Sequence, residues 1–353
     1  MLSGSRLAID RALEEFLQGV DVQLSSIDPE LVPVSSALKD FLSGGKRLRP
    51  LFAFAGYVGA GGDGSEPFNT SIIKALSSLE LLQACALIHD DMMDGSDSRR
   101  GAPSMHRRFE SAHRDRSGSG ESADFGNAAA LLIGDLALVL STQALNNSGL
   151  SDSQLREAHS IFDVMKVELM AGQYLDMHAG SQHEVSIPDA LKIATYKSGK
   201  YTIERPLHFG AALAGASAEI FETYSEFGIP LGIAFQLRDD LLGVFGDSTL
   251  TDKPAGDDLR EGKRTALISY VLEQVPAQIR DKFLALFGRR DASESQVKEM
   301  REVVQSSGAV EFIEKIIDEQ TTLALAAAKN QNIAPAGRDL LTELAIKATQ
   351  RSA

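Results

Sequence analysis

The sequence has little cysteine, no recognisable secretory leader and no long uninterrupted apolar run. Cys85 is the only cysteine among 353 residues, so the chain cannot form an internal disulfide, which suits a reducing cytosol. The first ten residues, MLSGSRLAID, lack the apolar core of a signal peptide. We find no apolar run that approaches the ~20 residues of a membrane-spanning helix. The sequence therefore predicts a cytoplasmic protein with no integral membrane segment.

The chain also has fewer basic than acidic residues. The chain has 35 Lys and Arg against 49 Asp and Glu, which gives a formal net charge of −14. Because nucleic-acid-binding proteins usually present a basic face, this balance argues against a nucleic-acid partner. In so acidic a chain, an anionic ligand would need either a local positive patch or recruited metal cations. Each local cluster of Lys and Arg is therefore informative.

Strand signals are nearly absent as well. We find no sustained period-two alternation and no Asn-Gly or Asp-Gly turn between β-branched runs. Helical periodicity dominates instead, and the long helical stretches are 68–94, 123–146, 151–178, 218–245 and 309–331. Several are apolar over much of their surface, as expected for helices that are buried on most sides. The predicted fold class is all-α, with long helices around a common interior.

The breaks between these helices do not divide the chain into independent cores. The Gly-rich segment 59–67 and the region 251–263 interrupt helices, and the polar, Gly/Ser-rich segment 114–124 is expected to form a mobile loop. We find no internal repeat of roughly 20–50 residues. With 43% apolar residues the chain can build a full-sized core. We predict one domain over residues 1–353.

The stretch IHDDMMD (88–94) places Asp90, Asp91 and Asp94 at the end of an apolar run. Asp90 and Asp94 lie four residues apart, so on a helix they share one face and repel each other. Acidic residues at a helix C-terminus are also unfavourable for the helix dipole. A cation would offset both effects, and Mg²⁺ favours one or two carboxylates together with substrate phosphate oxygens. The alternative interpretation is a solvated helix end, which is common for acidic pairs.

A second acidic segment, FQLRDDLLGVFGD (235–247), repeats this pattern in part. Asp239 and Asp240 again end an apolar helical stretch. Gly243 stands at the third position, where a DDxxD motif would have an aspartate. Further charged residues follow at Asp247, Lys253, Asp257, Asp258, Lys263 and Arg264.

Basic residues cluster in SGGKRLRP (43–50) and YKSGKY (196–201), and a pair of arginines follows the first acidic segment. The glycine pair in 43–50 lets the backbone approach an anion closely, although the spacing is not that of a Walker A loop. Alone, each cluster is more often a solvated face. Two acidic helix ends and three basic clusters in one acidic chain favour a metal-assisted diphosphate site. The residues of the clusters are Lys46, Arg47, Arg49, Arg99, Arg100, Lys197, Ser198 and Lys200.

Together these segments strongly resemble the trans-isoprenyl diphosphate synthases, or polyprenyl synthetase family, and most of all its geranylgeranyl diphosphate synthases. The resemblance is carried, in family order, by residues 44–50, 81–106, 196–201, 235–247 and 253–268. It implies an isoprenoid synthase-type helical bundle around a large central cavity, with Asp-rich helix ends facing across it, and a homodimer. It also implies a reaction in which an allylic diphosphate ionises, isopentenyl diphosphate adds to the cation and a proton is lost.

The resemblance further implies roles for individual residues. Mg²⁺, with three ions expected per site, would be held by Asp90, Asp94 and Asp239, with support through water from Asp91 and Asp240. The allylic diphosphate would be bound by Arg99, Lys197, Ser198, Gln236, Lys253 and Lys263. Isopentenyl diphosphate would be bound by Lys46, Arg49 and Arg100, and Gln83 would be a further phosphate ligand. The expected catalytic residues are Asp90, Asp91, Asp94, Asp239, Asp240 and Lys197.

Three positions depart from the family pattern. Gln83 stands where many relatives have His; it keeps a donor for phosphate but has no titratable proton. Ser198 stands where Thr is usual and retains the hydroxyl. Gly243 removes a carboxylate from the second acidic motif. Because Asp239 and Asp240 remain, we expect the enzymatic activity implied by the resemblance to be retained. By family analogy, the released diphosphate takes the proton.

The product length is expected to depend on the helix that ends in Asp90. Ala86 and Cys85 lie four and five residues earlier, about 6–8 Å below the metal site at a rise of about 1.5 Å per residue. In short-chain relatives an aromatic residue at one or both positions forms the floor that ends the product cavity, whereas both residues here are small. The next candidates for the floor are Leu82 and Leu79. We expect geranylgeranyl diphosphate (C20) as the product, with farnesyl (C15) or longer chains (C25 and above) as alternatives; ordinary close helix packing also explains small residues.

Two other functions compete with this interpretation. A class I terpene cyclase shares metal-triggered ionisation but needs no second diphosphate site, so the 43–50 segment and the Arg99–Arg100 pair argue against it. A regulatory synthase subunit typically loses the acidic motifs, which this chain keeps nearly intact. Consumption of isopentenyl diphosphate by the purified chain alone separates these possibilities.

Overall fold

The computed structural model describes residues 1–182, 184–246 and 256–349. These residues are mostly helical, and the strands among them are the short antiparallel pair β1 (Ser98–Arg99) and β2 (Ala102–Pro103). The predicted all-α fold class is confirmed.

Contacts within the chain group it into two compact units. Unit 1 comprises Met1–Phe54 and Asp63–Glu157, and unit 2 comprises Ala55–Gly62 and the chain from Ala158 onward. The single domain expected over residues 1–353 therefore stays a prediction.

Most of the long helices expected from the periodicity are present. Helices α3 (Leu48–Gly59) and α7 (Asp152–Gly180) have residues in both units. Unit 1 also holds α1 (Leu2–Ile27), a 3₁₀ turn (Pro29–Leu31), α2 (Val32–Leu42), α4 (Thr70–Asp94), α5 (Met105–Asp115) and α6 (Ser122–Asn146). Unit 2 also holds α8 (Ile187–Ala194), a π-helical segment (Thr195–Glu204), α9 (Arg205–Leu213), α10 (Ala218–Phe245), α11 (Asp257–Glu261), α12 (Ala266–Gln274), α13 (Ala277–Leu286), α14 (Glu294–Ser306), α15 (Ala309–Ala327) and α16 (Pro335–Thr349).

The two ends of α4 are fixed by local capping. The side chain of Asn69 accepts hydrogen bonds from two backbone N–H groups in the first turn of the helix. The helix ends at Asp94 because Gly95 adopts a left-handed conformation with φ of 60°. Asp90 and Asp94 are thereby placed in the last turn, next to the β1–β2 hairpin.

One face of α4 forms part of the core of unit 1. Leu81, Cys85 and Ile88 are fully buried there and pack in one cluster with Ala130 and Ile133 of α6. Burial, with a smaller contribution from a nearby carboxylate, raises the pKa of the Cys85 thiol to about 12. This cysteine is therefore a neutral core side chain.

Two helices of unit 1, α4 and α6, are long and apolar enough to span a membrane by length and composition alone. The expectation that no such stretch exists is therefore wrong, because the few charged residues do not offset the apolar character of either helix. In α4, 72% of the most apolar window is buried, as in the core helix of a soluble protein; in α6 the buried share is 44%. One or two such helices are weak evidence for a membrane span.

Helix α6 carries an exposed apolar stripe. Phe125, Leu132 and Val139 lie seven residues apart and are 47%, 67% and 62% exposed, and the neighbouring Leu131 is 50% exposed. Since seven residues make about two helical turns, these side chains lie along one side of the helix. Contiguous exposed apolar residues typically mark an interaction surface. We refer to these four residues as the α6 stripe.

The Gly/Ser-rich segment 114–124 joins α5 to α6, and side chains at both of its ends contact each other. The ring of His113 stacks on Phe125 at a centroid distance of 4.6 Å. His113 Nδ1 also lies 3.1 Å from Ser122 Oγ. The expected mobility of this loop stays a prediction.

Helix α10 is a main element of the core of unit 2. Leu237, Leu241 and Val244 are buried and pack in one cluster with Ile268 of α12 and Ile313 of α15. This packing fixes one side of α10, while Asp239 and Asp240 project from other positions in the same turn. The core of unit 2 thus positions the second acidic segment.

Candidate active site

The first acidic segment is folded against an arginine of the following hairpin. Arg99 Nε donates to Asp91 Oδ1 and Oδ2 at 2.9 and 3.2 Å, and its Nη2 also contacts Oδ1. The same Nη2 lies 3.6 Å from Asp90 Oδ2. Because Asp91 is fully buried, this ion pair fixes the guanidinium beside Asp90. Sequence reasoning expected Asp91 to act through water; the structure adds a direct role in positioning Arg99.

Asp90 and Asp94 lie in the last turn of α4, as their spacing predicts. The side chain of Asp90 is 16% exposed and Asp94 is half-buried. Gln83 lies about two turns earlier on the same side of the helix. Among the described residues, nothing donates a hydrogen bond to the buried Gln83 Oε1. Since buried polar atoms are nearly always satisfied in native proteins, Gln83 is a candidate ligand-binding residue.

Arg47 is a structural residue within the basic segment 43–50. It is 5% exposed, and its guanidinium donates hydrogen bonds of 2.7 Å to Asp10 Oδ1 and to Glu80 Oε2. Its backbone has φ of 52°, in the left-handed region that few non-glycine residues adopt. The bend and the buried ion pairs together fix the path of this segment. Sequence reasoning grouped Arg47 with the other bases and did not find this role.

Arg100 reaches the same segment from the hairpin. Its Nη1 donates to the carbonyl oxygen of Phe41 at 3.3 Å. Its guanidinium also packs on Gly45, where an added Cβ would lie 3.3 Å from Nη2. The structure therefore brings Arg100 to the segment that carries the exposed Lys46 and the half-buried Arg49. Such a gathering is required if the three residues bind one anion.

In unit 2, the YKSGKY motif lies in the π-helical segment Thr195–Glu204. Helical turns of this type are rare and frequently occur at functional sites. Two close backbone contacts hold the segment: Gly172 of α7 packs on the backbone of Lys197, and Gly232 of α10 packs on Gly199. A Cβ at Gly172 or at Gly232 would overlap the neighbouring backbone, so these approaches depend on glycine.

Lys197 is paired with an aspartate that sequence reasoning did not single out. Its Nζ lies 2.6 Å from Asp176 Oδ2 on α7, and both side chains are about a quarter exposed. Lys200 instead lies 3.2 Å from Glu168 Oε1, in a network that is less accessible to solvent. Of the two lysines in the motif, Lys197 is thus the better placed to meet a ligand.

Asp240 is a buried carboxyl group of the second acidic segment. It is 6% exposed and accepts a hydrogen bond of 2.7 Å from Gln236 Nε2. Burial, followed by the negative charge of Asp258, raises the pKa of Asp240 to about 8; the Gln236 bond opposes the shift, and Asp239 and Asp176 add to it. Carboxylates from α7, α10 and α11 therefore lie close together. Burial and the charges of these neighbours together favour the protonated form of Asp240.

Lys263 contacts this group of carboxylates. Its Nζ lies 2.8 Å from Glu261 Oε2 and 3.6 Å from Asp258 Oδ1. Lys253, which was expected at the same site, lies outside the described residues. For Asp258 the available sequence signal was its place in the charged region 251–263, whereas Asp176 lies within a long helical stretch that gave no signal at all.

The donor set fits Mg²⁺ that is bound together with a substrate. Among the residues that the structure describes, no three His, Cys, Asp or Glu side chains form a group that could hold a metal by themselves. Mg²⁺ is typically bound by one or two carboxylates, several waters and substrate phosphate oxygens, so a complete protein cage is not required. Burial is the main cause of the raised pKa of Asp240, and the smaller contribution from neighbouring carboxylates would be relieved by a divalent cation.

Comparison with known proteins gives the same family throughout. The Polyprenyl synthetase family model matches residues 33–304. The geranylfarnesyl diphosphate synthase of Aeropyrum pernix is 31% identical over 311 residues, which cover 87% of each chain. The geranylgeranyl diphosphate synthase of Saccharolobus solfataricus is 29% identical over 272 residues, which cover 75% of this chain and 74% of the relative.

A solved structure has the same fold over nearly the full length. The geranylgeranyl pyrophosphate synthase of Corynebacterium glutamicum, crystallised with isoprenyl diphosphate and magnesium, is 38% identical to this chain, with a TM-score of 0.94 and 99% of both chains covered. The match to the family model, the identity to the relatives and the shared fold agree. The chain belongs to the polyprenyl synthetase family and is a prenyltransferase.

Proposed function

We propose that the chain condenses isopentenyl diphosphate with dimethylallyl, geranyl and farnesyl diphosphates to form all-trans geranylgeranyl diphosphate. The observation that carries this proposal is that each acidic segment has a basic side chain fixed beside it, Arg99 at Asp91 and Lys263 at Asp258. Opposite charges in this arrangement suit a multiply charged diphosphate that binds with cations. We further propose a single cytoplasmic domain, because the family match includes residues of both units.

Magnesium is the proposed cofactor, with three ions per site. Asp90, Asp94 and Asp239 would hold the ions, and Asp91 and Asp240 would support them. Bound Mg²⁺ acts as a Lewis acid that stabilises the negative charge of the departing diphosphate.

The basic side chains bind and orient the two substrates. Because Asp91 already fixes Arg99, this guanidinium presents its donors to a diphosphate with little reorganisation. The released diphosphate accepts the proton that the condensation sets free. The proposed ligands of the allylic diphosphate are Arg99, Lys197, Ser198, Gln236, Lys253 and Lys263. The proposed ligands of isopentenyl diphosphate are Lys46, Arg49, Arg100 and Gln83.

The side of α4 that carries Asp90 is proposed to set the product length. At about 100° per residue, Ala86 lies about 40° from Asp90 around the helix, whereas Cys85 lies about 140° away. In agreement with these angles, Cys85 is fully buried in the core of unit 1 and Ala86 is half-buried. A growing prenyl chain would therefore pass Ala86 before it meets Leu82 or Leu79. Of the two small residues, Ala86 is therefore the better candidate for the position at which an aromatic side chain would end the cavity.

A direct assay tests the reaction. With Mg²⁺, the purified chain should consume isopentenyl diphosphate with each allylic primer and release a C20 product, and chelation by EDTA should abolish turnover. A terpene cyclase would form hydrocarbon without isopentenyl diphosphate, and a regulatory subunit would be inactive alone; either result contradicts the proposal. A C25 main product, as the name of the Aeropyrum relative suggests, or a C15 one would overturn only the chain length.

Ala86→Phe should shorten the product. The ring would fill the space beside the growing chain, so the main product should shift from C20 to C15 with farnesyl diphosphate no longer extended. Ala86→Ser is the matched control, since it keeps a small side chain and should leave the C20 product. Product chromatography from isopentenyl and geranyl diphosphates measures the shift. An unchanged C20 product from a folded Ala86→Phe enzyme would refute the floor assignment.

The pH dependence of stability without Mg²⁺ should report on Asp240. Its raised pKa means that the folded state binds one more proton than the unfolded chain between roughly pH 4 and pH 8. This group therefore stabilises the protein at low pH, and its contribution falls by at most about 1.4 kcal/mol per pH unit as the pH rises through that window. In EDTA, Asp240→Asn should gain stability relative to wild type from pH 5 to pH 8. Denaturant titrations with the exposed Asp318→Asn as control measure this; equal slopes for all three proteins would contradict it.

We also propose a homodimer that buries the α6 stripe. The seven-residue spacing of Phe125, Leu132 and Val139 gives one continuous apolar side, which a second copy of the chain would remove from water. The double variant Leu132→Asp/Val139→Asp should convert the dimer to monomer in light scattering after gel filtration. Leu323→Asp, at an apolar residue of α15 that is 55% exposed, should leave the dimer intact. A monomeric wild type, or a double variant that remains dimeric, would show that the stripe is not the interface.

A further inference from the structure

Two residues of α1 contact the first basic segment on either side of Lys46. Arg6 Nη2 donates to the carbonyl oxygen of Gly45 at 2.9 Å. Asp10 Oδ1 accepts a hydrogen bond of 2.7 Å from Arg47 Nε. Arg6 and Asp10 lie four residues apart and therefore share one face of the helix, with Nε of the arginine 4.0 Å from Oδ2 of the aspartate. One turn of α1 thus holds both the residue before Lys46 and the residue after it.

The backbone of this segment needs such support. Gly44, Gly45 and Arg47 have φ of 71°, 93° and 52°, in the left-handed region that is unfavourable for an arginine. The two terminal nitrogens of Arg47 are bonded as well: Nη1 donates to Glu80 Oε2 of α4 and Nη2 to the carbonyl oxygen of Leu42 of α2, both at 2.7 Å. Together with the bond to α1, this guanidinium ties the segment to three helices.

The position of α1 does not depend on these two contacts. Leu13 and Leu17 are buried and pack in one cluster with Leu81 of α4. The side chains of Arg6 and Asp10 are 49% and 36% exposed. Removing either side chain should therefore leave the helix in place and release only the segment that it contacts.

Lys46 is the basic residue whose backbone these contacts hold. It is exposed and precedes α3, whereas Arg49 lies in the first turn of α3 and is held by that helix. A lysine side chain is a flexible stem with a point charge, so the site of its ammonium group depends on where its backbone is fixed. The contacts from α1 thus act on Lys46 more than on Arg49.

We propose that Arg6 and Asp10 are positioning residues, which fix Lys46 for isopentenyl diphosphate. This inference depends on the proposed function, in which Lys46 binds that substrate. Both residues lie ahead of residues 33–304, over which the family model matches. They act through the segment and do not touch the substrate. Their loss should weaken the use of isopentenyl diphosphate and leave the use of the allylic primer unchanged.

Steady-state kinetics with both substrates tests this split. Asp10→Ala should raise the KM for isopentenyl diphosphate about fivefold or more, with the KM for farnesyl diphosphate within about twofold of wild type. Arg6→Ala should have the same effect. Asp10→Asn keeps an acceptor oxygen and Arg6→Lys keeps a donor, so each should recover most of the loss that the alanine variant shows.

Two residues of the same helix supply matched controls. Glu15 pairs with Lys74 of α4 at 3.4 Å, so Glu15→Ala removes a carboxylate of α1 that bonds elsewhere. Arg11 is an exposed base of α1, so Arg11→Ala lowers the positive charge without a change at the segment. Both variants should keep both KM values within about twofold of wild type.

A double-mutant cycle shows whether Asp10 acts through Lys46. In a Lys46→Ala enzyme, adding Asp10→Ala should change the KM for isopentenyl diphosphate by no more than about twofold, because the lysine to be positioned is already gone. A general structural role of Asp10 would raise this KM by the same factor in both backgrounds, which would contradict the proposal.

The outcomes separate this inference from the proposed function. If wild type is active but the KM for isopentenyl diphosphate stays within twofold in either alanine variant, or both KM values rise together, the inference is wrong and the function stands. If wild type consumes no isopentenyl diphosphate with any allylic primer, both are wrong. Melting temperatures verify folding, and should Asp10→Ala fail to fold, the variants of the more exposed Arg6 decide alone.

Discussion

Carboxylates that are held close together repel one another, and the rest of the site depends on how that repulsion is offset. In unit 1, the buried Asp91 is neutralised by Arg99, which in turn lies beside Asp90. In unit 2, Asp240 accepts a hydrogen bond only from the uncharged amide of Gln236 among the contacts resolved for it, and its pKa is raised. The negative charge of the first segment is therefore partly neutralised by an arginine, whereas Asp240 in the second segment has no such partner among its resolved contacts. A divalent cation bound with a diphosphate, as we propose, would offset the remaining repulsion, so an arrangement that is unfavourable for the free protein would become favourable for the complex.

Close backbone contacts at glycine set where these charges lie. Gly172 and Gly232 let α7 and α10 approach the π-helical segment, which positions Lys197 next to the carboxylate of α7. Because a Cβ at Gly172 or Gly232 would overlap a neighbouring backbone, the position of Lys197 depends on the close approach of these helices. At Gly243, by contrast, the neighbouring group is the side-chain carboxylate of Asp258.

The sequence predicted the fold class and the long helices well, since helical periodicity is a local property. The acidic and basic segments were also found, because their charge is unusual in apolar surroundings. The pairing of distant residues was not predictable. Arg47 joins Asp10 and Glu80 through a left-handed backbone, and Asp176 meets Lys197 from a helix without any motif. The π-helical segment has only 10 residues, too few for its wider turns to be told from those of an α-helix in the sequence, so its presence at YKSGKY also required the structure. The expectation of no membrane-length apolar helix was wrong, because single charged residues, such as the buried Glu80 in α4 and the exposed Asp135 in α6, interrupt an apolar run without much change to its average hydropathy.

We propose that each acidic segment binds divalent cations together with a diphosphate. Diffraction from crystals grown with Mn²⁺ and a thio analogue of farnesyl diphosphate tests this directly, because the anomalous signal locates each ion. We expect Mn²⁺ at Asp90 and Asp94 and at Asp239, with each ion in contact with a diphosphate and with Arg99 donating to a diphosphate. A diphosphate bound with no ion at either acidic segment, or ions that contact no diphosphate, would contradict this proposal.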